Sequence, residues 1–104
     1  MTYGLVLTAL ADPTRRSILE SLQEAPLSVG EVASRQPVTR PAVSQHLKVL
    51  QEAGLVRASP KGTRRVYSIE RHGLEELRRY LDGFWTDVLS GYAAEVDRRL
   101  TDNR

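Results

Sequence analysis

Residues 39–54 read TRPAVSQHLKVLQEAG, and this stretch decides the fold. Its apolar residues recur at intervals of four and three positions, which is the spacing of one helix face. These residues are Val43, Leu47 and Leu50. Thr39 is a suitable N-cap, Pro41 is tolerated in a first turn, and Gly54 is a common helix stop. The stretch therefore predicts an amphipathic helix from about Thr39 to Ala53.

A short helix is predicted directly before this one, starting at Ser28 and with Val32 and Ala33 directed inward. Ser28 and Glu31 have the three-residue offset of a capping box, which opens a helix. Pro37 ends that helix, because proline disfavours helical geometry in the residue before it. A helix, a short turn and a second helix are thus expected to follow one another.

Two further helices are predicted at the N-terminal side. The mostly apolar residues from Tyr3 to Leu10 form the first. Asp12 as N-cap and Pro13 as first helical residue are a strong start for the second, and its apolar pattern ends before Pro26.

The C-terminal side predicts a β-hairpin and then a long helix. Residues 55–59 and 65–69 alternate apolar and polar side chains around PKGTR at 60–64. A helical pattern returns from about His72 to Leu100. Two glycines are candidate positions for a bend in it, Gly83 and Gly91. The prediction is a mainly α fold with a small β-hairpin, in the order α-α-α-α-β-β-α, which is a winged helix-turn-helix.

Composition limits the kind of protein. A chain of 104 residues has room for one domain, so a single winged helix-turn-helix over residues 1–104 is expected. It contains no cysteine, which excludes disulfides, thiolate nucleophiles and thiolate metal sites. No apolar run is long enough to span a membrane and no secretory signal is present, so we expect a cytoplasmic protein without a membrane partner.

Positive charge is concentrated in the central third of the chain. The formal net charge is only +2, yet residues 35–65 hold seven basic residues against the single acid Glu52. This distribution is expected if the central third faces a polyanion, although chance clustering on a solvated face would give the same pattern.

The predicted helix and hairpin carry side chains suited to double-stranded DNA. The outer face of the helix holds Pro41, Ser44, Gln45, Lys48 and Glu52, with Arg40 at its start. Gln suits adenine edges, while Arg suits guanine or phosphate. The basic residues Lys61, Arg64 and Arg65 of the hairpin could hold neighbouring phosphates. The simpler alternatives are an ordinary polar helix face and a charged hairpin edge that prevents strand pairing.

Three motifs carry a resemblance to a known family. They resemble motifs of the ArsR-type (ArsR/SmtB) winged helix-turn-helix transcriptional repressors. The family's second-helix entry is matched by residues 9–19, and its recognition helix with the exit from it by residues 40–50 and 52–56. Its wing is matched by residues 62–67. The resemblance covers almost the whole chain.

The resemblance implies specific DNA contacts. Arg40, Ser44, Gln45 and His46 match family positions that meet DNA from the recognition helix. Lys61, Thr63 and Arg64 match positions that meet the backbone or the minor groove. We expect Thr39 to place its hydroxyl and the free helix amides near a phosphate. The residues predicted to bind DNA are Thr39, Arg40, Pro41, Ser44, Gln45, His46, Lys48, Lys61, Thr63, Arg64 and Arg65.

The resemblance also implies a homodimer formed by the first and last helices. Those helices carry more apolar surface than one small core needs, although an intramolecular core is the alternative reading. The predicted interface residues are Tyr3, Leu5, Leu77, Leu81, Phe84, Trp85 and Val88. A two-fold dimer would select an inverted-repeat operator. The resemblance further implies repression of the protein's own promoter, which is common in the family.

No metal, cofactor or catalytic group is predicted. Where many relatives bind metal through a Cys pair in the third helix, this chain reads LSVGEVA at 27–33, and its last helix has His72 only at the start. No nucleophile and base pair and no glycine-rich phosphate loop is present, so an enzyme is not expected. Two alternatives stay open: a metal- or small-ligand-responsive sensor, whose effector is unknown, and a winged-helix module that binds an acidic protein.

Overall fold

The computed structural model describes residues 2–102, in which helices surround a small sheet. The elements in chain order are α1 (Thr2–Leu10), α2 (Pro13–Leu22), β1 (Leu27–Ser28), α3 (Val29–Ala33), α4 (Arg40–Glu52), β2 (Val56–Lys61), β3 (Arg64–Ile69) and α5 (Arg71–Asp102). The predicted mainly α winged helix-turn-helix is confirmed, and it gains one strand that the sequence analysis did not predict.

Side-chain caps fix the joint between α1 and α2. The Asp12 carboxylate accepts hydrogen bonds from the backbone N–H of Thr14 at 2.8 Å and of Arg15 at 3.1 Å. The Arg15 side chain in turn donates from Nε to the Ala9 carbonyl at 2.8 Å. Because the last carbonyls of α1 have no partner within their own helix, these bonds hold its end against α2.

Caps also define the helix-turn-helix. The Ser28 hydroxyl accepts from the Glu31 N–H at 3.3 Å, and the Glu31 carboxylate accepts from the Ser28 N–H at 3.0 Å. This is the predicted capping box at the start of α3. The Thr39 hydroxyl accepts from the Ala42 N–H at 3.3 Å, as predicted for the N-cap of α4.

One core joins all the elements except the distal part of α5. Its fully or nearly fully buried residues come from each of the other helices and from the sheet. They are Val6, Ala9, Ile18, Leu22, Leu27, Val32, Val43, Leu47, Leu50, Ala53, Leu55, Val56 and Tyr67. The three predicted inward residues of α4 are among them, so its opposite face is directed to solvent.

The hairpin, which we call the wing, has longer strands than predicted. The sequence analysis placed five residues in its loop, whereas β2 and β3 pair as far as Lys61 and Arg64 and leave a two-residue turn, Gly62–Thr63. Gly62 has a φ of +64°, a conformation that glycine adopts without the strain of a Cβ, and this reverses the chain in two residues. Pro60 is accommodated because β2 is an edge strand.

The additional strand, β1, completes a sheet in the order β1-β3-β2. Leu27 pairs with Tyr67 and Ser28 with Val66, both antiparallel to β3. Two residues are too few to show an alternating pattern, so only the tertiary contact with β3 identifies this strand. It ties the start of α3 directly to the wing.

α5 is one continuous helix, and the expected bend at Gly83 or Gly91 does not occur. At neither glycine would an added Cβ have another segment of residues 2–102 within 4 Å, so none of these residues packs there to bend the helix. From Arg78 to Thr101 every residue except Glu95 is exposed, and the helix extends the molecule to 73 Å in its long dimension. In the described part of the chain, no helix has the length and apolar character needed to cross a membrane.

Candidate DNA-binding surface

The outer face of α4 is a row of exposed polar residues. Pro41, Ser44, Gln45 and Lys48 are exposed, directly opposite the fully buried residues of the same helix. Glu52 is exposed near the end of this row. The structure therefore brings together the helix residues that the sequence predicted on one face.

His46 differs from these residues, because it is half-buried at the boundary of the helix face. Its charge is one of the influences on Asp12, at the start of α2. The pKa of the Asp12 carboxyl lies below its ordinary value, first because of the hydrogen bond from the Arg15 N–H, with smaller contributions that include Arg15 and His46. His46 therefore lies at the margin of the exposed row rather than in its centre.

The basic residues of the wing lie on two different faces of the sheet. Lys61 is directly paired with Arg64, and Pro60 with Arg65. Since successive residues of a strand point to opposite faces, Lys61 and Arg64 share one face and Arg65 lies on the other. All of these residues, and Thr63 in the turn, are exposed.

The same alternation adds a basic residue that the sequence analysis had not assigned. Arg57 and Ser59 are exposed on β2 at two-residue steps before Lys61, so they share its face. In the sequence, the polar residues of this strand stand at odd-numbered positions. That Arg57 shares a face with Lys61 follows only once the strand is known to extend to Lys61.

Two arginines lie against the same turn of α3. The Arg64 guanidinium is 3.7 Å from the Glu31 carboxylate. The Arg40 guanidinium lies over Gly30, where an added Cβ would be 3.0 Å from Nη2 of Arg40. Arg40 belongs to the first turn of α4 and Arg64 to the wing, so α3 connects the helix and the wing through adjacent residues.

The environment of Glu31 keeps this carboxylate charged. The backbone N–H of Ser28 and then its hydroxyl, followed by the charges of Arg64 and Arg35, hold the pKa of Glu31 below its ordinary value. The sequence analysis treated Glu31 only as a helix cap. Its position beside the wing depends on the pairing of β1 with β3.

A second exposed surface is apolar and lies on α5 and α1. Leu5, Phe84 and Trp85 are 54–56% exposed, and Leu81 and Val88 are also exposed. The other two predicted interface residues make contacts within the chain. Tyr3 stacks on Tyr80 with ring centroids 4.7 Å apart, and Leu77 packs against the core.

The apolar surface extends further along α5 than predicted. Four more large side chains on its distal part are exposed: Leu89, Tyr92, Val96 and Leu100. In the described residues, no group of three or more His, Cys, Asp or Glu side chains is placed to hold a metal ion.

The fold, the polar helix face and the basic wing define a winged helix-turn-helix DNA-binding protein. Residues 10–58 match a family model described as a helix-turn-helix domain. The chain belongs to the ArsR/SmtB family of transcriptional regulators, which are not enzymes.

Individual relatives agree with this assignment. The chain is 60% identical over 89 residues to the HTH-type transcriptional regulator Rv2034 of Mycobacterium tuberculosis, covering 86% of this chain and 83% of that protein. It is similar to an ArsR-like transcriptional regulator from Rhodococcus sp. RHA1, with a TM-score of 0.80, 33% identity and coverage of 89% and 88%.

A further similar structure is that of the homodimeric winged helix-turn-helix DNA-binding domain Mb0332 from Mycobacterium bovis, a possible ArsR-family regulator. Its TM-score is 0.67 with 27% identity, covering 86% of this chain and 83% of that one.

Proposed function

We propose that this protein is a dimeric repressor that binds an inverted-repeat operator through α4 and the wing of each subunit. The observation that carries the proposal is the position of Arg40 and Arg64. Both lie against one turn of α3, so the start of the reading helix and the wing present positive charge on the same side of the molecule.

Base reading is assigned to the N-terminal half of α4. Ser44 and Gln45 offer donors and acceptors that match base edges, and Gln45 suits adenine. Lys48 follows them on the same exposed face. In helix-turn-helix proteins the N-terminal residues of the second helix contact the bases, which agrees with this placement.

Phosphate binding is assigned to the basic and hydroxyl residues around this half-helix. They are Thr39, Arg40, Lys61, Thr63 and Arg64, with His46 and Pro41 at the margin of the surface, while Arg65 lies on the opposite face of the wing. Lys61 and Arg64 lie on one face of the wing and Arg57 shares it, so this face is the one that we place along the DNA backbone.

The dimer is assigned to the apolar stripe of α5 together with α1. This surface exposes five large apolar side chains, and contiguous exposed apolar patches mark interaction sites: Leu5, Leu81, Phe84, Trp85 and Val88. The homodimeric Mycobacterium bovis relative supports this choice. A two-fold pair would present two reading helices about 34 Å apart, which is one turn of DNA. The whole chain is then one DNA-binding domain with dimerisation helices at both ends.

The test is selection of bound genomic fragments, followed by titration of Gln45→Ala. We expect the variant to lower the ratio of operator affinity to random-DNA affinity by about fivefold or more, since one good base contact contributes about 1–3 kcal/mol of discrimination. Gln51→Ala, the same change nearer the end of α4, is the matched control and should retain the ratio.

Two outcomes would contradict the proposal. If Gln45→Ala weakens all sequences equally, α4 does not read bases. If the purified chain selects no genomic fragment at all, the protein-interaction module becomes the better interpretation.

A further inference from the structure

The first turn of α3 lies against two arginines of the proposed interface, Arg40 and Arg64, through two adjacent residues. Gly30 lies under the Arg40 guanidinium, and the Glu31 carboxylate lies 3.7 Å from that of Arg64. These two contacts differ in kind. The one at Gly30 depends on the space left by the absent side chain, and the one at Glu31 depends on the attraction of opposite charges.

Gly30 provides the space that Arg40 occupies. A Cβ at this position would be 3.0 Å from Nη2 and 3.3 Å from Cζ of Arg40. That separation is shorter than normal van der Waals contact, so a side chain at residue 30 makes the guanidinium shift by a few tenths of an ångström. The obstacle is the end of a flexible side chain rather than backbone, so the displacement does not threaten the fold.

Glu31 provides a charge that competes with DNA for Arg64. Lys61 stands directly opposite Arg64 in the wing, which brings two positive charges together, and the Glu31 carboxylate pairs with Arg64. A phosphate that binds Arg64 must replace this carboxylate. The carboxylate itself also repels a phosphate at the same place.

We propose that the first turn of α3 sets the DNA affinity of this surface, with Gly30 as the positioning residue for Arg40 and Glu31 as the internal competitor for Arg64. The inference rests on the proposed function, in which Arg40 and Arg64 contact DNA. Gly30 raises the affinity and Glu31 lowers it.

The first experiment tests Gly30→Ala against a random-sequence duplex about three helical turns long and a selected genomic fragment. Alanine is the better helix former, so the variant should be at least as stable as the wild type. We expect its affinity for both DNAs to fall by about threefold, because the shifted guanidinium of Arg40 makes a weaker charge-assisted contact. Gly83→Ala, in α5 with no neighbour within 4 Å, is the control and should bind as the wild type does.

The second experiment tests Glu31→Gln in the same assay. Glutamine keeps the capping box, since its side-chain oxygen still accepts from the Ser28 N–H, but it removes the ion pair. We expect affinity for both DNAs to rise about two- to fivefold, the range of an exposed ion pair. The logarithm of the affinity should also fall more steeply with the logarithm of the salt concentration, by about one unit of slope, because binding to Arg64 now releases a counterion.

Two controls isolate the role of Arg64. The Asp82 carboxylate lies 3.7 Å from Arg78 in an exposed ion pair on α5. Asp82→Asn removes the same charge as Glu31→Gln at this other site and should leave DNA binding unchanged. In an Arg64→Ala background, Glu31→Gln should give little further gain. An equal gain in that background would show that Glu31 acts as a general surface charge, which would overturn its role as competitor.

Arg40→Ala and Arg64→Ala separate this inference from the function on which it rests. If neither variant weakens DNA binding, the proposed interface is wrong. If both weaken it while Gly30→Ala and Glu31→Gln bind as the wild type does, the interface stands and the role of the α3 turn is wrong.

Discussion

Lys61 and Arg64 are paired directly across the two-residue turn of the wing, on the same face of the sheet. Like charges placed opposite one another on a sheet cost stability, so this pair carries a local penalty. Arg65, the next residue, lies on the other face. The wing therefore has one doubly basic face, and this arrangement leads to the first prediction.

Lys61→Ala should reduce the salt slope of DNA binding by about one, because one phosphate contact is removed. Its free energy of unfolding should stay unchanged or rise slightly, since the repulsion with Arg64 disappears. Arg65→Ala is the matched control on the opposite face and should change the slope less. Anisotropy titrations over about 50–200 mM salt measure both variants, and a larger effect for Arg65 would contradict the assigned face.

Leu47→Ala should lower the free energy of unfolding by about 2–5 kcal/mol, because it removes a fully buried side chain from the centre of the core. Ser44→Ala, one turn earlier on the exposed face, should change it by less than about 0.5 kcal/mol. Urea unfolding at one fixed protein concentration measures both, since a dimer's stability depends on concentration. Equal losses for the two variants would mean that the buried and exposed faces of α4 are misassigned.

Acid should destabilise the fold through Asp12 and Glu31. Both carboxyls have a pKa below the ordinary values of 3.8 and 4.5, Asp12 mainly through the Arg15 N–H and Glu31 mainly through the Ser28 N–H. A lowered folded pKa contributes stability that is complete above the unfolded value and is lost as the pH falls through the folded value. The free energy of unfolding should therefore decline from about pH 5 towards pH 3.

Asp12→Asn isolates the contribution of the first carboxyl. Asparagine still caps α2, so the variant should fold, but its stability should decline less steeply over the same acid range. The remaining decline belongs to Glu31 and other acids. If the curves of the variant and the wild type run parallel, the lowered pKa of Asp12 does not contribute to stability.

Trp85→Glu should convert the proposed dimer to monomers. The side chain is 56% exposed within one chain and lies in the apolar stripe of α5, where a second subunit would bury the new charge at a high cost. Ser90→Glu places the same charge on the opposite side of that helix and should leave the dimer intact. Sedimentation measures the mass of each variant; a dimeric Trp85→Glu protein would exclude this part of the stripe from the interface.

Much of the fold could be predicted because its signals are local. Asp12 with Pro13, the Ser28 and Glu31 capping box, and Thr39 each satisfy amides within three residues, so they define helix starts without reference to the rest of the chain. The apolar spacing in α4 likewise predicted which of its residues are buried and which face solvent. The polar face that we assign to base reading follows from that spacing alone.

Other features depend on contacts between distant segments, which local patterns do not contain. β1 is a strand only because Leu27 meets Tyr67, forty residues further along the chain. The pairing of Lys61 with Arg64 depends on the conformation of Gly62, and the half-burial of His46 is seen only in the folded chain. Charge and motif could identify these residues as candidates but could not give their faces or their neighbours.

The sequence by itself determined the helix-turn-helix, the basic wing and the family, because caps, spacing and motifs act over a few residues. Only the tertiary structure decided that Arg40 and Arg64 both rest on the first turn of α3. That arrangement arises because β1 pairs with β3 and carries Gly30 and Glu31 to a position between the reading helix and the wing.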